Sequence, residues 1–237
     1  MSKPVLLILG AGRNIAAGVA SRFGAAGYAV ALVSRSFPQG PATPDPETGH
    51  LRIRADLADP SQVTFAFTET RRHFGGTAPR VVVYNAASMS RPPDADNIFS
   101  LPLAQIERDV NIMSSSAWIA AGEAVRGWSE AGTEEARKGR FIYTGNLLNQ
   151  TVWPVPALVT SGIGKNAAWY WVNAADALYK ETKGWRFFYA DERKEDGTFV
   201  GSTPGAESNG KFYLELAEGA QDLPSTVTFV DGKYKKF

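Results

Sequence analysis

Short, wholly apolar runs alternate along the chain with longer segments whose apolar residues recur every three or four positions. Val5–Leu9 is five apolar residues closed by Gly10, the pattern of a strand covered on both faces. Ile15, Val19 and Phe23 follow at a spacing of four, one face of a helix that Gly27 stops. The alternation continues. It predicts further strands at Ala29–Val33, Leu51–Ile53, Val81–Tyr84, Phe141–Tyr143, Arg186–Tyr189 and Thr226–Val230, with helices over about 61–74, 103–129, 162–182 and 208–218. Such a series implies right-handed crossovers. The expected fold is a doubly wound α/β arrangement of about seven parallel strands with helices on both faces, one domain over 1–237.

Two stretches break the rhythm. Ser36–His50 holds Pro38, Pro41, Pro44 and Pro46 with Gly40 and Gly49, and reads as a surface loop because the series resumes after it. Asp191–Gly210 is polar, carries five Gly or Pro residues and follows a predicted strand, so a substrate loop over about 191–210 is expected to close on the strand ends.

Composition narrows the classes. Hydrophobic residues are 44% and charged residues 21% of 237, the balance of a folded globular chain. Lys plus Arg number 25 against 24 for Asp plus Glu; the resulting charge of +1 offers no basic excess to displace counterions, so no nucleic-acid partner is expected. The absence of cysteine removes disulfides and thiol nucleophiles, and His50 and His73 alone build no multi-histidine metal centre. Val5–Leu9 is too short for a signal-peptide core, and no run approaches the ~18 apolar residues of a membrane span. A soluble, cytoplasmic protein without a membrane partner is expected.

Gly10-Ala11-Gly12-Arg13-Asn14-Ile15-Ala16 joins the first strand to the first helix. A glycine turn opening a helix is an anion site, because backbone N–H groups and the helix dipole both favour negative charge. Taken alone, the glycines suit an ordinary tight turn equally well. Their place at the C-terminal end of the first strand is where a Rossmann-like sheet holds a dinucleotide. Arg35 follows the second strand, where an acidic residue would bind a ribose 2′-hydroxyl. Its planar fork suits a 2′-phosphate instead, and Arg13 reaches the same group. Two basic residues and no acid at this tip point to NADP(H) rather than NAD(H).

With these motifs in order, the chain resembles the short-chain dehydrogenase/reductase family over nearly its whole length. The turn is similar to that family's TGxxxGxG loop, with Gly10 as its first glycine and Asn14 and Ala16 in place of the other two. Asn tolerates left-handed backbone angles, and Ala is the smallest change at a close-packed helix start. Asp56-Leu57 resembles the segment of the adenine-contacting Asp. Asn85-Ala86-Ala87, preceded by Tyr84, resembles the NNAG segment. Asp109-Val110-Asn111 resembles the helix of the active-site Asn, and Val230-Asp231-Gly232 the last strand and its turn.

The resemblance implies carbonyl reduction by a tetrad. A Tyr donates the proton, a Lys four residues on lowers its pKa and holds the nicotinamide ribose, a Ser orients the carbonyl and an Asn completes a proton relay. The family's YxxxK falls on Ser161-Gly162-Ile163-Gly164-Lys165, so the lysine is retained and the tyrosine position holds Ser161. The serine position falls on Asn146, or on Thr144 if the alignment slips. A phenol starts near pKa ~10 and a neighbouring ammonium brings it toward neutrality; an aliphatic hydroxyl is a far weaker acid, so Lys165 does not make Ser161 an equivalent donor. The Pro-Gly expected after the sixth strand is replaced by Tyr189-Ala190-Asp191-Glu192-Arg193. That run reads either as solvated surface charge or as groups beside the nicotinamide face.

The resemblance therefore implies the following roles. Gly10, Gly12, Arg13, Asn14 and Ile15 hold the pyrophosphate and the 2′-phosphate side, and Arg35 takes the 2′-phosphate. Asp56 and Leu57 hold adenine, Asn85 and Ala86 line the ribose path, and Lys165 holds the nicotinamide ribose. Asn111, Asn146 and Ser161 face the reacting carbon, and Trp153 is expected on a substrate pocket wall. The expected function is an NADP(H)-dependent oxidoreductase acting on a small or medium apolar carbonyl or imine. Its proton donor is non-standard: Asp191, Glu192, Tyr143 or a water held by Asn111 and Lys165. A cationic iminium substrate needs no donor. Two alternatives stand: a dinucleotide-binding isomerase, cyclase or sensor, and an inactive family member that serves a partner. A homodimer or homotetramer is implied through the helices at about 103–129 and 162–182, the first carrying Ile106, Val110, Met113, Trp118 and Val125.

Overall fold

In the computed structural model, which describes residues 3–131, 134, 136–201, 203–219 and 222–237, the apolar runs become strands of one sheet. Among these residues its strands are β1 (Val5–Leu9), β2 (Ala29–Val33), β3 (Thr43–Pro44), β4 (Leu51–Ile53), β5 (Val81–Tyr84), β6 (Arg140–Thr144), β7 (Arg186–Glu192), β8 (Thr226–Val230) and β9 (Lys233–Tyr234). Their order is β3-β4-β2-β1-β5-β6-β7-β8-β9. The seven longer strands run parallel, as the pattern predicts, and the two-residue strands β3 and β9 add antiparallel edges.

The sheet is covered by α1 (Ile15–Ala25), α2 (Ser61–His73), α3 (Leu103–Val110), α4 (Ser116–Ala131), α5 (Val159–Lys183) and α6 (Ala206–Glu218). Side-chain alternation along each strand decides which layer a residue meets. Leu6, Ile8, Val83, Ile142 and Phe188 pack with α1 and α6. Leu7, Leu9, Tyr84, Phe141, Tyr143 and Tyr189 pack with α2, α4 and α5. Cover on both sides is the reason β1 and β5 are apolar at every position. α1 and α6 approach to backbone contact: a Cβ at Gly210 would lie 2.6 Å from Gly18 O. This packing sets the N-terminal ends of α1 and α6 side by side at the strand ends.

Three local expectations change. The helix expected over 103–129 is interrupted between α3 and α4 by a π-helical turn, Asn111–Ser115. Two buried phenols occupy that turn's carbonyls: Tyr84 Oη donates to Ile112 O at 2.5 Å and Tyr143 Oη to Met113 O at 2.8 Å. The strand expected to end at Tyr189 runs on to Glu192, because Asp191 and Arg193 are buried and paired instead of solvated. The Ser36–His50 segment is ordered around Asp45, which accepts from Thr48 N at 2.8 Å and Thr48 Oγ1 at 2.9 Å and pairs with Arg52. Thr43–Pro44 thereby folds back on β4. Of the apolar residues expected on a helix-pair surface, Met113 is core, packed against Gly164, whereas Trp118 is exposed.

Candidate active site

Strand order diverges from β1 toward β2 on one side and β5 on the other, and two clefts meet over that point. One, of about 420 Å³, is lined by Gly10, Gly12, Arg13, Arg35, Asp56, Leu57, Asn85 and Ala86. The other, of about 350 Å³, is lined by Asn14, Ile15, Thr144, Asn146, Ser161, Lys165 and Glu192. Gly12, Arg13, Asn85 and Ala87 border both, so the two form one trough along the C-terminal edge of the sheet.

The glycine turn is held from below. Gly10 N and Ala11 N donate to Val33 O at 3.0 and 2.8 Å, and Asn85 Nδ2 donates to Gly10 O at 2.9 Å. Gly10 has φ +95°, and a Cβ there would overlap Ala86 N, so only glycine fits. Gly12 differs: a Cβ there meets nothing within 4 Å, which leaves the outer face of the turn open. Asn14 is the N-cap of α1 but its side chain makes no cap bond; its Nδ2 donates to Pro204 O at 2.8 Å instead. The first N–H groups of α1 thus have no side-chain acceptor, and an open turn with an uncapped helix start fits a pyrophosphate. Arg13 and Arg35 are exposed on the rim of the larger cleft. Asp56 lies beside them, 3.7 Å from Arg108 Nη2, with Oδ1 accepting from Ala58 N at 3.1 Å.

At the other end, Lys165 is only 4% exposed. Its Nζ donates to Thr144 O at 2.6 Å and stands 4.7 Å from the Tyr143 ring centre. Burial lowers its pKa to about 8, against an opposing pull from Asp191. Ser161 sits one helical turn before it on α5 and lines the same cleft. Asn146 and Thr144 both reach the cleft, so both positions that the alignment leaves open are present. Asn146 is fixed by Tyr189: Asn146 N donates to Tyr189 Oη at 3.1 Å, and that hydroxyl donates to Asn146 O at 2.9 Å. Thr144 Oγ1 accepts from Tyr213 Oη at 3.0 Å.

Several expected residues are elsewhere. Asn111 lines neither cleft; its Nδ2 donates to Ala58 O at 3.3 Å, across the β4–α2 connection. Tyr143 spends its hydroxyl on Met113 O in the core, and burial raises its pKa, so it is not a proton donor to the cleft. Glu192 borders the cleft, but Oε2 accepts from Gly205 N at 2.8 Å and Asn209 Nδ2 at 2.7 Å, which ties the segment after β7 to the start of α6. Trp153 does not line the cleft. Phe199 does, and Trp153 stands edge-on behind it at 5.1 Å. Phe199, Pro204 and Asn209 fall within the 191–210 segment expected to close on the strand ends, but no local motif singles out these three, because the path of the chain after β7 brings them there. Asp109 is a further anchor. It accepts from Ser88 Oγ at 2.6 Å and Thr160 Oγ1 at 2.7 Å, joining the β5 loop, α3 and α5 beside the Lys165 end of the trough.

Among the described residues no helix is long and apolar enough to cross a membrane, and no group of three or more His, Cys, Asp or Glu is placed to hold a metal ion.

Fold and trough together define a doubly wound α/β protein of the nucleotide-binding kind. The chain is 37% identical, over 98% of its length and 94% of the relative's, to the short chain dehydrogenase/reductase dmxR12 of Cryptosporiopsis sp. (strain 8999). It belongs to the short-chain dehydrogenase/reductase family of oxidoreductases. Among solved structures it is similar to a doubly substituted short-chain dehydrogenase/reductase from Serratia marcescens, with TM-score 0.74, 20% identity and coverage of 98% and 97% of the two chains. It is also similar to a metagenomic short-chain oxidoreductase solved in complex with NADP, with TM-score 0.75, 16% identity and coverage of 97% of each chain. No protein-family profile matches the chain.

Proposed function

We propose that this protein, acting as one dinucleotide-binding domain, is an NADP(H)-dependent reductase or dehydrogenase of a small or medium apolar carbonyl or imine. Its proton donor is not a tyrosine. The observation that carries this reading is the shared trough, in which the glycine turn and α1 start are continuous with Ser161 and Lys165. When bound, the dinucleotide supplies a hydride donor or acceptor. The α1 N–H groups hold its pyrophosphate, Arg13 and Arg35 bind a 2′-phosphate, and Asp56 with Leu57 borders the adenine. The pair of arginines supports NADP(H), as does the similar fold solved with NADP.

Ser161 stands at the family's tyrosine position and orients the substrate oxygen with Asn146, Thr144 being the nearest second hydroxyl. Lys165 holds the ribose and presents a charged Nζ to the oxygen. Phe199, backed by Trp153, supplies an apolar wall of the cleft. Exposed Trp118 on α4 and exposed Tyr170 and Leu178 on α5 support a homodimer or homotetramer through these two helices.

Titration of the purified chain with NADPH and NADH, followed by tryptophan fluorescence and calorimetry, tests the reading. Tight NADPH binding with weak NADH binding is the expected result. Binding of neither removes the redox reading and turns the search to protein partners.

A further inference from the structure

Asp191 is 1% exposed, yet only half of its carboxylate is used. Arg193 places both Nε and Nη2 on Oδ2, each at 2.6 Å, while Oδ1 is buried without any hydrogen-bond partner. A buried carboxylate oxygen left unmatched beside a cation is costly unless another charge faces it.

The strand register brings one further charge to the neighbourhood, Lys165, which forms no direct ion pair with Asp191. Thr144 of β6 pairs with Ala190 of β7, the residue before Asp191. Lys165 Nζ is bonded to the Thr144 carbonyl. Successive same-face residues on β7 are Phe187, Tyr189 and Asp191, and this face packs on α5. Tyr189 stacks on Tyr143 at 5.7 Å, and Lys165 Nζ lies over Tyr143. Asp191 is therefore the next residue past the ring pair, toward the cleft. Each charge acts on the other: Asp191 favours the Lys165 ammonium, and Lys165 favours the Asp191 carboxylate.

We propose that Asp191 is a positioning residue that, beside the Thr144 carbonyl that fixes Lys165 Nζ, keeps that ammonium charged at the cleft, so that Lys165 Nζ itself is the acid standing in for the absent tyrosine. The proposal rests on the redox reading above only for its chemical step. In that step the carbonyl carbon gains a hydride, with its electron pair, from the reduced dinucleotide, which leaves oxidised. An N–H bond of Lys165 breaks and an O–H bond forms on the substrate oxygen. The neutral amine then takes a proton from water. Asp191 is absent from the cleft lining and touches no substrate; it acts through Lys165.

The groups around the pair are limited. Arg193 and Glu192 flank Asp191 on β7, the first favouring its charge and the second opposing it. Tyr143, Tyr189 and Tyr213 are buried and have raised pKa values, so they stay neutral while the pair titrates. Burial raises Asp191 itself to about 6.

The test is a titration of the full chain labelled with 13C and 15N lysine, reading the Cε–Nζ resonance that disappears in Lys165→Arg. In the unmodified chain that resonance is expected to show two steps, one from Asp191 near pH 6 and its own near pH 8. In Asp191→Asn the lower step should vanish and the upper midpoint should fall by about one pH unit, as for removal of a nearby opposite charge. Asp191→Glu should restore much of the midpoint. A single step in the unmodified chain overturns the proposal, whether or not the Asn variant folds. So does an unchanged midpoint in a folded Asn variant, the result if Asp191 only anchors Arg193, whose Nη1 donates to Gly197 O at 2.9 Å. This readout needs no dinucleotide, so it fails separately from the NADPH titration.

Discussion

At the glycine-turn end of the trough, one glycine turn and three nearby strand ends supply nearly every surface. At the Lys165 end, β6, α5, β7 and α6 supply one or two residues each and the loop after β7 supplies four, from distant parts of the chain. The first end is made largely of backbone: Gly10 and Ala11 bonded to Val33 O, and Asn85 clamped on Gly10 O. The second is made of buried charge, with Lys165, Asp191 and Arg193 each at most 5% exposed. Backbone anion sites depend on local geometry and tolerate most side-chain change. A cluster of buried charges depends on its exact partners, because each desolvated group is costly when its partner is lost.

Substitutions at the two ends should therefore fail in different ways. Lys165→Met is expected to have the largest effect, a fall in reduction rate of about 100-fold or more, the usual worth of a positioned acid. Dinucleotide binding should weaken far less, and comparison of NADPH oxidation with NADPH binding measures the split. The pH dependence follows from the same group. Its folded pKa of about 8 lies below the ordinary 10.5, so reduction should decline as pH rises through 8. The unfolded chain holds the proton longer, so this lysine's burden on the fold is full below pH 8 and is relieved as pH rises toward 10.5. Rate and urea stability measured from pH 7 to 10 should move in opposite directions.

Gly10→Ala comes next. The positive φ and the overlap with Ala86 N predict a loss of about 2–4 kcal/mol in urea unfolding, together with loss of NADPH binding. Retained stability with lost binding would mean that the turn rearranges without straining the sheet. Arg35→Asp should leave stability unchanged and weaken NADPH binding roughly 10- to 100-fold, the worth of a charge-assisted phosphate bond, while NADH affinity holds or rises. An unchanged NADPH-to-NADH ratio would leave Arg13 as the sole 2′-phosphate ligand. Trp153→Ala should have the smallest effect, a few-fold rise in KM for an apolar substrate with kcat nearly constant, because it only backs Phe199. A large drop in kcat would show that Trp153 holds the loop itself.

The order and type of the elements are legible in the sequence itself. Apolar runs and helical spacing predict the seven parallel strands, and the glycine turn, Arg35, Asp56 and Asn85 fall in one cleft as their positions after successive strands imply. The alignment of Ser161 and Lys165 with a helix start likewise brings both to the neighbouring cleft. These features rest on spacing within one or two elements, which periodicity encodes directly.

What the spacing could not carry is where polar groups spend their hydrogen bonds. Tyr143 has the chemistry of a donor but faces a π-turn carbonyl; Asn111 has the chemistry of a relay but bonds Ala58 O. Asp191-Glu192-Arg193 has the composition of a solvated run, yet two of its three side chains are buried as a pair. The doubly wound sheet, the phosphate-type turn and the lysine on α5 are thus written in the order of residues. Which acids and phenols stay free in the trough is set by packing, because a buried polar group's partner comes from whichever element lies against it, often far away in the chain.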